Sequence, residues 1–576
     1  MKNSIGPRTT FAKVVCIALL FSPLWGLLWF SPNPDEFWVL PVLRIYYNLL
    51  SLKVTVVYLS VCIFAFTSFV IVPFIRDSVV RVPLMIIMLI GWGFELIILD
   101  LNGSLSNQDL FWVLWQERAL GSEAVKGYGG NIIRDCGIVV LLAIVLCASP
   151  AQQFSVPRKF GLMPVLSAAL VTGIILYTKG ATQIFPIPFG TFSNAAIVLV
   201  DTWNSSSDLP VSRDMAINKI PIRSSKLDPP FNKIVMIMDE SVRGDYLSLN
   251  DANRNTTPFL KGADHLINFG VATSGGNCSI ISRMIFRFGM RLSDLPNRWG
   301  EALNRPTFWE FAQRAGYKTV HFDAVYGPMS LGNGYSLPEK TSIDSDISIL
   351  KNPIYLRDQM LADKLIDALR DEKPAFIFVD KFGVHHPYSD KYPPDFHAVA
   401  TPLEADTGSS ESEREIAKYP NAIAWSVDEF FRRLVPAVNL SQALIIYTSD
   451  HGQSLLPDRA PHCSLRRMVP LGEETVPLIA ITKVPDWEQR LAKGAARGFD
   501  RFSHFEVFPT LLLAMGYDAD WVNRTYGPSL MDSPSPNRKF MIGSPGYQPM
   551  MIPVDRNFGP AASSSKSQPA QPYPLQ

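Results

Sequence analysis

Four short stretches in the second half of the chain combine acids, histidines and hydroxyls at close spacing. They are Met238-Asp239-Glu240-Ser241, Asn277-Cys278-Ser279, Gly383-Val384-His385-His386-Pro387 and Thr448-Ser449-Asp450-His451-Gly452. Adjacent Asp450 and His451 suit a divalent cation, and an imidazole with carboxylates suits zinc or manganese. Glu240, at the end of an apolar run, is costly to bury unless it is paired or metal-bound. A hydroxyl beside such an ion loses its proton more easily and can attack phosphorus, which makes Ser279 a candidate nucleophile. Spacing alone does not separate Ser279 from Thr273, Ser274 or Ser282, because the whole segment is rich in turn-forming residues. His385 and His462 are candidates to hold a phosphate oxygen or shuttle a proton. All eight histidines lie at His265 or later, so this chemistry is confined to one half of the chain.

Each stretch lies at or just beyond a hydrophobic run that reads as a buried strand. The clearest runs are Lys233 to Met238 and Ala443 to Thr448. Open α/β folds build their sites where such strand ends converge. Further strands are expected at Leu266–Val271, Lys318–Phe322, Ala375–Val379 and Pro477–Thr482. Helices are expected at Thr307–Ala315, Asp358–Arg370, Ala422–Leu434 and Phe505–Met515. This alternation predicts an α/β sandwich with a largely parallel sheet over 231–560.

Before residue 180 the chain has another character. Five apolar runs, at about 11–30, 53–75, 82–100, 132–149 and 161–178, are long enough, or nearly so, to cross a bilayer as helices. Lys2, Arg8, Lys13, Arg76, Arg81, Arg158 and Lys159 lie on one set of alternate loops or flanks. The positive-inside rule then places the N-terminus in the cytoplasm and everything after residue 180 outside it. Glu95, inside the third run, is costly in lipid and so a functional suspect. Residues 181–230 read as a connector and 561–576 as a disordered tail. A net charge of +1 over 576 residues gives no footprint for nucleic acid. Of six cysteines, only Cys278 and Cys463 lie in the soluble half, each beside a candidate site residue. Convergence of the sites would bring these two together in an oxidising compartment, although sequence does not establish the bond.

Five spans followed by these motifs resemble the bacterial phosphoethanolamine transferases, inner-membrane proteins of the alkaline phosphatase and sulfatase superfamily. Met238-Asp239-Glu240-Ser241-Val242-Arg243 is similar to the family's Gly-Glu-Thr-x-Arg segment, and Ser449-Asp450-His451-Gly452-Gln453-Ser454 to its Ser-Asp-His-Gly-Glu-Ser. Gly383 to Pro387 resembles Gly-Ser-His-Gly-Pro. Pro461-His462-Cys463 falls where the family has a second phosphate-contacting histidine. Ser279 with Ser282 reproduces the spacing of the family's nucleophilic threonine and following serine. Ser279-x-x-Ser282-Arg283 also echoes the sulfatase signature. The resemblance implies zinc, with manganese as the alternative, held by Glu240, Ser279, Asp450 and His451, with Ser279 catalytic. It further implies that His385, His462 and Arg283 contact substrate. The expected donor is phosphatidylethanolamine and the acceptor lipid A, a core sugar or another envelope glycan, with the catalytic domain periplasmic. Phosphoglycerol transfer, sulfatase- or phosphodiesterase-type hydrolysis and a catalytically silent envelope protein are the alternatives. Asp239 in place of Gly, Gln453 in place of Glu and Ser279 in place of Thr depart from the family pattern.

Overall fold

The structure is a computed structural model. It describes residues 10–19, most of 63–102, 121–177 apart from 151, isolated positions up to 199, 229–295, and 305–400 apart from 328, 329, 331 and 336. It further describes 409–457, 461–463, 472–542 and 550–554. The chain divides into two compact units, residues 1–115 with 128–207, and residues 116–127 with 208–576.

Within the first unit, two described helices, Ser78–Ile98 and Gly129–Cys147, are long and apolar enough to cross a membrane. The sequence predicts five spans. Of the other three, 161–178 appears as the 16-residue helix Leu162–Tyr177. The run 11–30 is described only over the helix Thr10–Leu19, and most of 53–75 lies outside the described residues. Lys13 is buried and its ammonium donates to the carbonyls of Pro73, Leu146 and Ala148 at 2.6, 3.0 and 2.6 Å. A cation there satisfies carbonyls that a helix end leaves orphaned. Glu95 is also buried and accepts a hydrogen bond from the Thr191 hydroxyl. The connector and the tail fall almost entirely outside the described residues.

The second unit is built on a seven-stranded sheet. Its strands are β1 (Lys233–Asp239), β2 (Leu266–Thr273), β3 (Lys318–Asp323), β4 (Ser345–Ser348), β5 (Ala375–Asp380), β6 (Ala443–Ser449) and β7 (Thr475–Ile481). In space they run β2-β7-β6-β1-β5-β3-β4. The sheet is mixed. β6, β1, β5, β3 and β4 pair in parallel, whereas β7 runs antiparallel to both β6 and β2. A short hairpin, β8 (Lys539–Ile542) with β9 (Met550–Pro553), stands apart from it.

Unbroken apolar runs mark strands covered on both faces, and the two-residue period sorts their side chains. From β1, Ile234, Met236 and Met238 enter one core, and Val235 and Ile237 enter the other. β5 divides likewise, with Phe376 and Phe378 on one side and Ile377 and Val379 on the other. The first face is covered by Phe308, Trp309 and Phe311 of the helix Phe308–Arg314, together with the helices Pro485–Gly498 and Val507–Ala514. Leu361 and Leu365 of the helix Arg357–Leu369 and Phe430 of the helix Phe430–Leu434 cover the second. Central strands fixed from both sides give their C-terminal ends a rigid base. Those ends carry Asp239, Asp380 and Ser449 side by side.

Candidate functional site

Glu240 follows β1, and Asp450 and His451 follow β6, the strand beside it. In register, Asp239 lies opposite Ser449, so both segments leave the sheet at the same level. Ser241 then adopts φ 64°, a left-handed turn that a residue with a side chain visits only when its surroundings hold it there. Its backbone N–H donates to Asp450 Oδ1 at 3.1 Å and its hydroxyl to Glu240 Oε1 at 2.7 Å. Gly452 has an ordinary φ. What it supplies is space, since a Cβ there would press on the carbonyl oxygens of Gly472 and Thr475.

The turn-rich segment after β2 ends at Ser279, which opens a buried helix, α1 (Ser279–Arg287). Residues three and four apart share a helix face, which explains the spacing of Ser279, Ser282 and Arg283. Ser279 Oγ lies 3.2 Å from Glu240 Oε2 and 3.1 Å from His451 Nε2. The competing hydroxyls have other partners. Ser274 donates to Gly276 O at 2.7 Å, and Ser282 meets His504 Nδ1 at 3.1 Å. Thr273 ends β2.

One ligand atom from each of Glu240, Asp450 and His451 lies within 4.8 Å of the other two. His451 Nδ1 donates to the carbonyl of Gly452 at 2.8 Å, which leaves Nε2 as a lone pair facing Glu240 Oε1 at 3.4 Å. Burial pushes Glu240 well above the usual carboxylate range, and the Asp450 charge pushes it further. Burial also raises Asp450, but the Arg283 guanidinium and the Ser241 N–H outweigh it and hold the carboxyl well below its ordinary value. Two buried carboxyl groups, an unprotonated imidazole and a hydroxyl form an oxygen and nitrogen donor set of the kind that fits a zinc-sized dication.

His462 and His385 stand beside this cluster. The His462 ring centroid is 4.4 Å from that of His451 and 5.4 Å from that of His385. His462 Nδ1 donates to Gln453 Oε1 at 3.1 Å and His385 Nδ1 to His386 O at 2.8 Å, so each ring keeps Nε2 as the open nitrogen. Burial lowers both, His385 to about 3. Cys278 and Cys463 are disulfide-bonded with a Cα–Cα distance of 4.7 Å. That bond and the hydrogen bond from Cys463 N to Asn277 O tie the His462 segment to the residue preceding Ser279. The structure thus brings together Glu240, Ser279, His385, Asp450, His451 and His462.

Arg283 stands differently from the sequence expectation. Its guanidinium is fully buried and bound to carboxylates, not presented to open space. NH2 meets Glu240 Oε2 at 2.9 Å, Nε meets Asp450 Oδ2 at 3.1 Å, and NH1 meets Asp380. Two further residues escaped the sequence reading. Asp380 ends β5, and only its place after an apolar run marked it. His504 accepts from Gly275 N at 3.1 Å and faces Thr448 Oγ1 at 3.2 Å, holding the Ser279 segment from beneath. No motif surrounds it.

The chain is also similar to known proteins. Residues 232–517 match the sulfatase family. The chain is 23% identical over 410 residues to Kdo(2)-lipid A phosphoethanolamine 7''-transferase of Escherichia coli K12, covering 67% of this chain and 68% of that protein. It is 26% identical over 233 residues to phosphoethanolamine transferase EptA of Salmonella typhimurium, covering 39% and 41%. The integral membrane lipooligosaccharide phosphoethanolamine transferase A (EptA) of Neisseria meningitidis shares the fold. Its TM-score is 0.58 at 18% identity, over 88% of this chain and 94% of that one. Residues 232–517 are therefore a sulfatase-family domain, and the chain is a relative of the phosphoethanolamine transferases within the alkaline phosphatase and sulfatase superfamily.

Proposed function

We propose that this chain is a metal-dependent transferase that moves phosphoethanolamine from phosphatidylethanolamine to an envelope glycan or glycolipid such as lipid A, through a phosphorylated Ser279. The observation that carries this reading is the position of Ser279 Oγ. It stands at a helix N-terminus, within 3.3 Å of both Glu240 carboxylate oxygens and His451 Nε2. Residues 1–180 are the membrane anchor in this account, 181–230 a connector, 231–560 the catalytic domain and 561–576 a tail. The anchor belongs to a bacterial inner membrane, with the N-terminus cytoplasmic and the catalytic domain periplasmic. Anchoring holds the site near lipid headgroups and raises the effective donor concentration.

Glu240, Asp450, His451 and Ser279 would hold zinc, or manganese in its place. A bound ion supplies the Lewis acidity that lowers the pKa of the Ser279 hydroxyl. Ser279 loses its proton to solvent and its oxygen attacks phosphorus in line. The new bond is Ser279 Oγ–P, and the bond that breaks joins phosphorus to the glycerol oxygen. A phosphodiester anion near His385 and His462 favours protonation at Nε2, and one of them passes that proton to the departing diacylglycerol. An acceptor hydroxyl or phosphate then takes the phosphoethanolamine, and Ser279 regains its proton. Arg283 contacts no substrate in this scheme; it positions Glu240 and Asp450.

The test uses full-length protein in detergent with headgroup-labelled phosphatidylethanolamine. The reading requires stoichiometric diacylglycerol release with label left on the protein. Release only from phosphatidylglycerol would turn the assignment toward phosphoglycerol transfer, and release with all label in water would make the protein a hydrolase.

A further inference from the structure

Asp239 departs from the family pattern, and the scheme above gives it no task. Its buried carboxyl meets Lys381, a second buried group without one. Lys381 follows β5 directly and has no solvent exposure. Its ammonium donates to Asp239 Oδ2, to the Ser426 carbonyl at 2.6 Å and to Ser426 Oγ at 3.3 Å. An ammonium has three donors, and here all three find acceptors. Asp358 Oδ2 lies 3.8 Å away and receives the Ser426 hydroxyl at 2.7 Å.

These contacts hold one turn. Asp358 receives the N–H groups of Phe382 at 2.8 Å and Gly383 at 3.0 Å, and Val384 N donates to the Glu240 carbonyl at 3.0 Å. Gly383 has φ 61°, and a Cβ there would lie 2.5 Å from both Asp239 Oδ1 and the Glu240 carbonyl oxygen. Only glycine lets the turn lie flush against the end of β1. His385 comes two residues later. The path from β5 to His385 is thus set by buried polar contacts at Lys381, Phe382, Gly383 and Val384. Without Lys381, Asp239 keeps the Glu240 N–H and the Tyr447 hydroxyl, each at 3.0 Å, so the end of β1 stays fixed. The turn before His385 instead loses its side-chain anchor.

We propose that Lys381 is a positioning residue for His385. Anchored on Asp239 and Ser426, it fixes the turn that sets the His385 ring beside the cluster, and Asp358 holds the same turn through its N–H groups. The inference deepens the function proposed above and rests on it only for the catalytic consequence.

The experiment is a double-mutant cycle on diacylglycerol release from phosphatidylethanolamine by full-length protein in detergent, with bound zinc measured alongside. Lys381→Met should keep zinc, because Lys381 touches none of the proposed ligands, and should lose on the order of 10²-fold in kcat, the scale of a small misplacement. In a His385→Gln background the same change should cost no more than about twofold, since residues that act as a unit do not add. Losses that multiply, or zinc lost in step with turnover, would overturn the proposal. Carbethoxylation by diethyl pyrocarbonate, mapped by peptide mass, reads the position of His385 without turnover. Lys381→Met should quicken it at His385 and leave His462, tied by the disulfide, at the wild-type rate. An unchanged rate at His385 would sink the idea. If Lys381→Met does not fold, Asp358→Asn, which removes one of the two acceptors of the turn, takes its place in both measurements. Wild type that releases no diacylglycerol would remove the function proposed above, and the carbethoxylation rates would still decide whether Lys381 holds His385.

Discussion

Breaking the Cys278–Cys463 bond should cost both stability and turnover, and the two losses have separate origins. The bond closes a loop between residues 185 apart in sequence. In the chain-entropy account, a loop of that length restricts the unfolded chain by about 18 cal/mol/K, or about 5 kcal/mol at 25 °C. Unfolding entropy of roughly 2.1 cal/mol/K per residue comes to about 0.6 kcal/mol/K over residues 232–517. The melting temperature should therefore fall by at most roughly 8 °C. The perturbation is Cys278→Ser with Cys463→Ser, which leaves no new thiol, and Cys136→Ser is the control. Melting is followed in detergent with and without reductant. Reductant should lower the wild-type midpoint toward that of the double variant and leave the double variant unmoved. Activity at temperatures where both proteins are folded should also drop, because His462 is no longer tethered beside Ser279. Equal midpoints for wild type, reduced wild type and the double variant would refute the tether.

Glu240→Ala and Asp450→Ala should lose metal and activity together while the sheet still folds, as metal analysis with circular dichroism would show. Full turnover in either variant would remove the proposed centre. Gly452→Ala should destabilise by about 2 kcal/mol and reduce metal affinity, because its Cβ meets two backbone carbonyls that cannot yield; a neutral effect on both would contradict the packing. Burial lowers the His504 pKa to about 4. Its contribution to stability is complete above about 6.5 and falls as pH drops toward 4, because the unfolded chain takes up the proton first. At 1.36 kcal/mol per unit the loss reaches about 3 kcal/mol. His504→Gln should lose that much of the pH dependence between 6.5 and 4, measured by denaturant unfolding, and an unaltered slope would count against it.

The strands β1, β5 and β6 could be read from sequence because strands covered on both faces are largely apolar, whereas β3, with Lys318, Thr319 and His321, showed only as a short segment after a helix. β7 showed in the same way as β1, but its reversed direction did not, since a continuous apolar run carries no sign of polarity. β4 escaped notice. Ser345-Asp346-Ile347-Ser348 is a short edge strand with little apolar content, and its pairing with β3 is a tertiary fact. Asp450, His451 and Glu240 stood out because charge at the end of an apolar run demands a partner. Ser279 could not be separated from Ser274 or Ser282 by composition. What distinguishes it is the start of α1, which points residues 279 and 283 at the strand ends. The place of Arg283 was hidden for a related reason. An arginine signals anion binding, but its partners, Glu240, Asp380 and Asp450, come from three strands.

The most direct measurement is the intact mass of full-length protein after incubation with phosphatidylethanolamine and no acceptor. The wild type should gain one phosphoethanolamine on the peptide containing Ser279, and the adduct should vanish when a glycolipid acceptor is added. Ser279→Thr should keep some adduct, because it offers the same hydroxyl. Ser279→Ala should retain metal and show none, whereas Ser274→Ala and Ser282→Ala should still form it. An adduct that persists in Ser279→Ala and disappears in Ser274→Ala or Thr273→Ala would contradict the account.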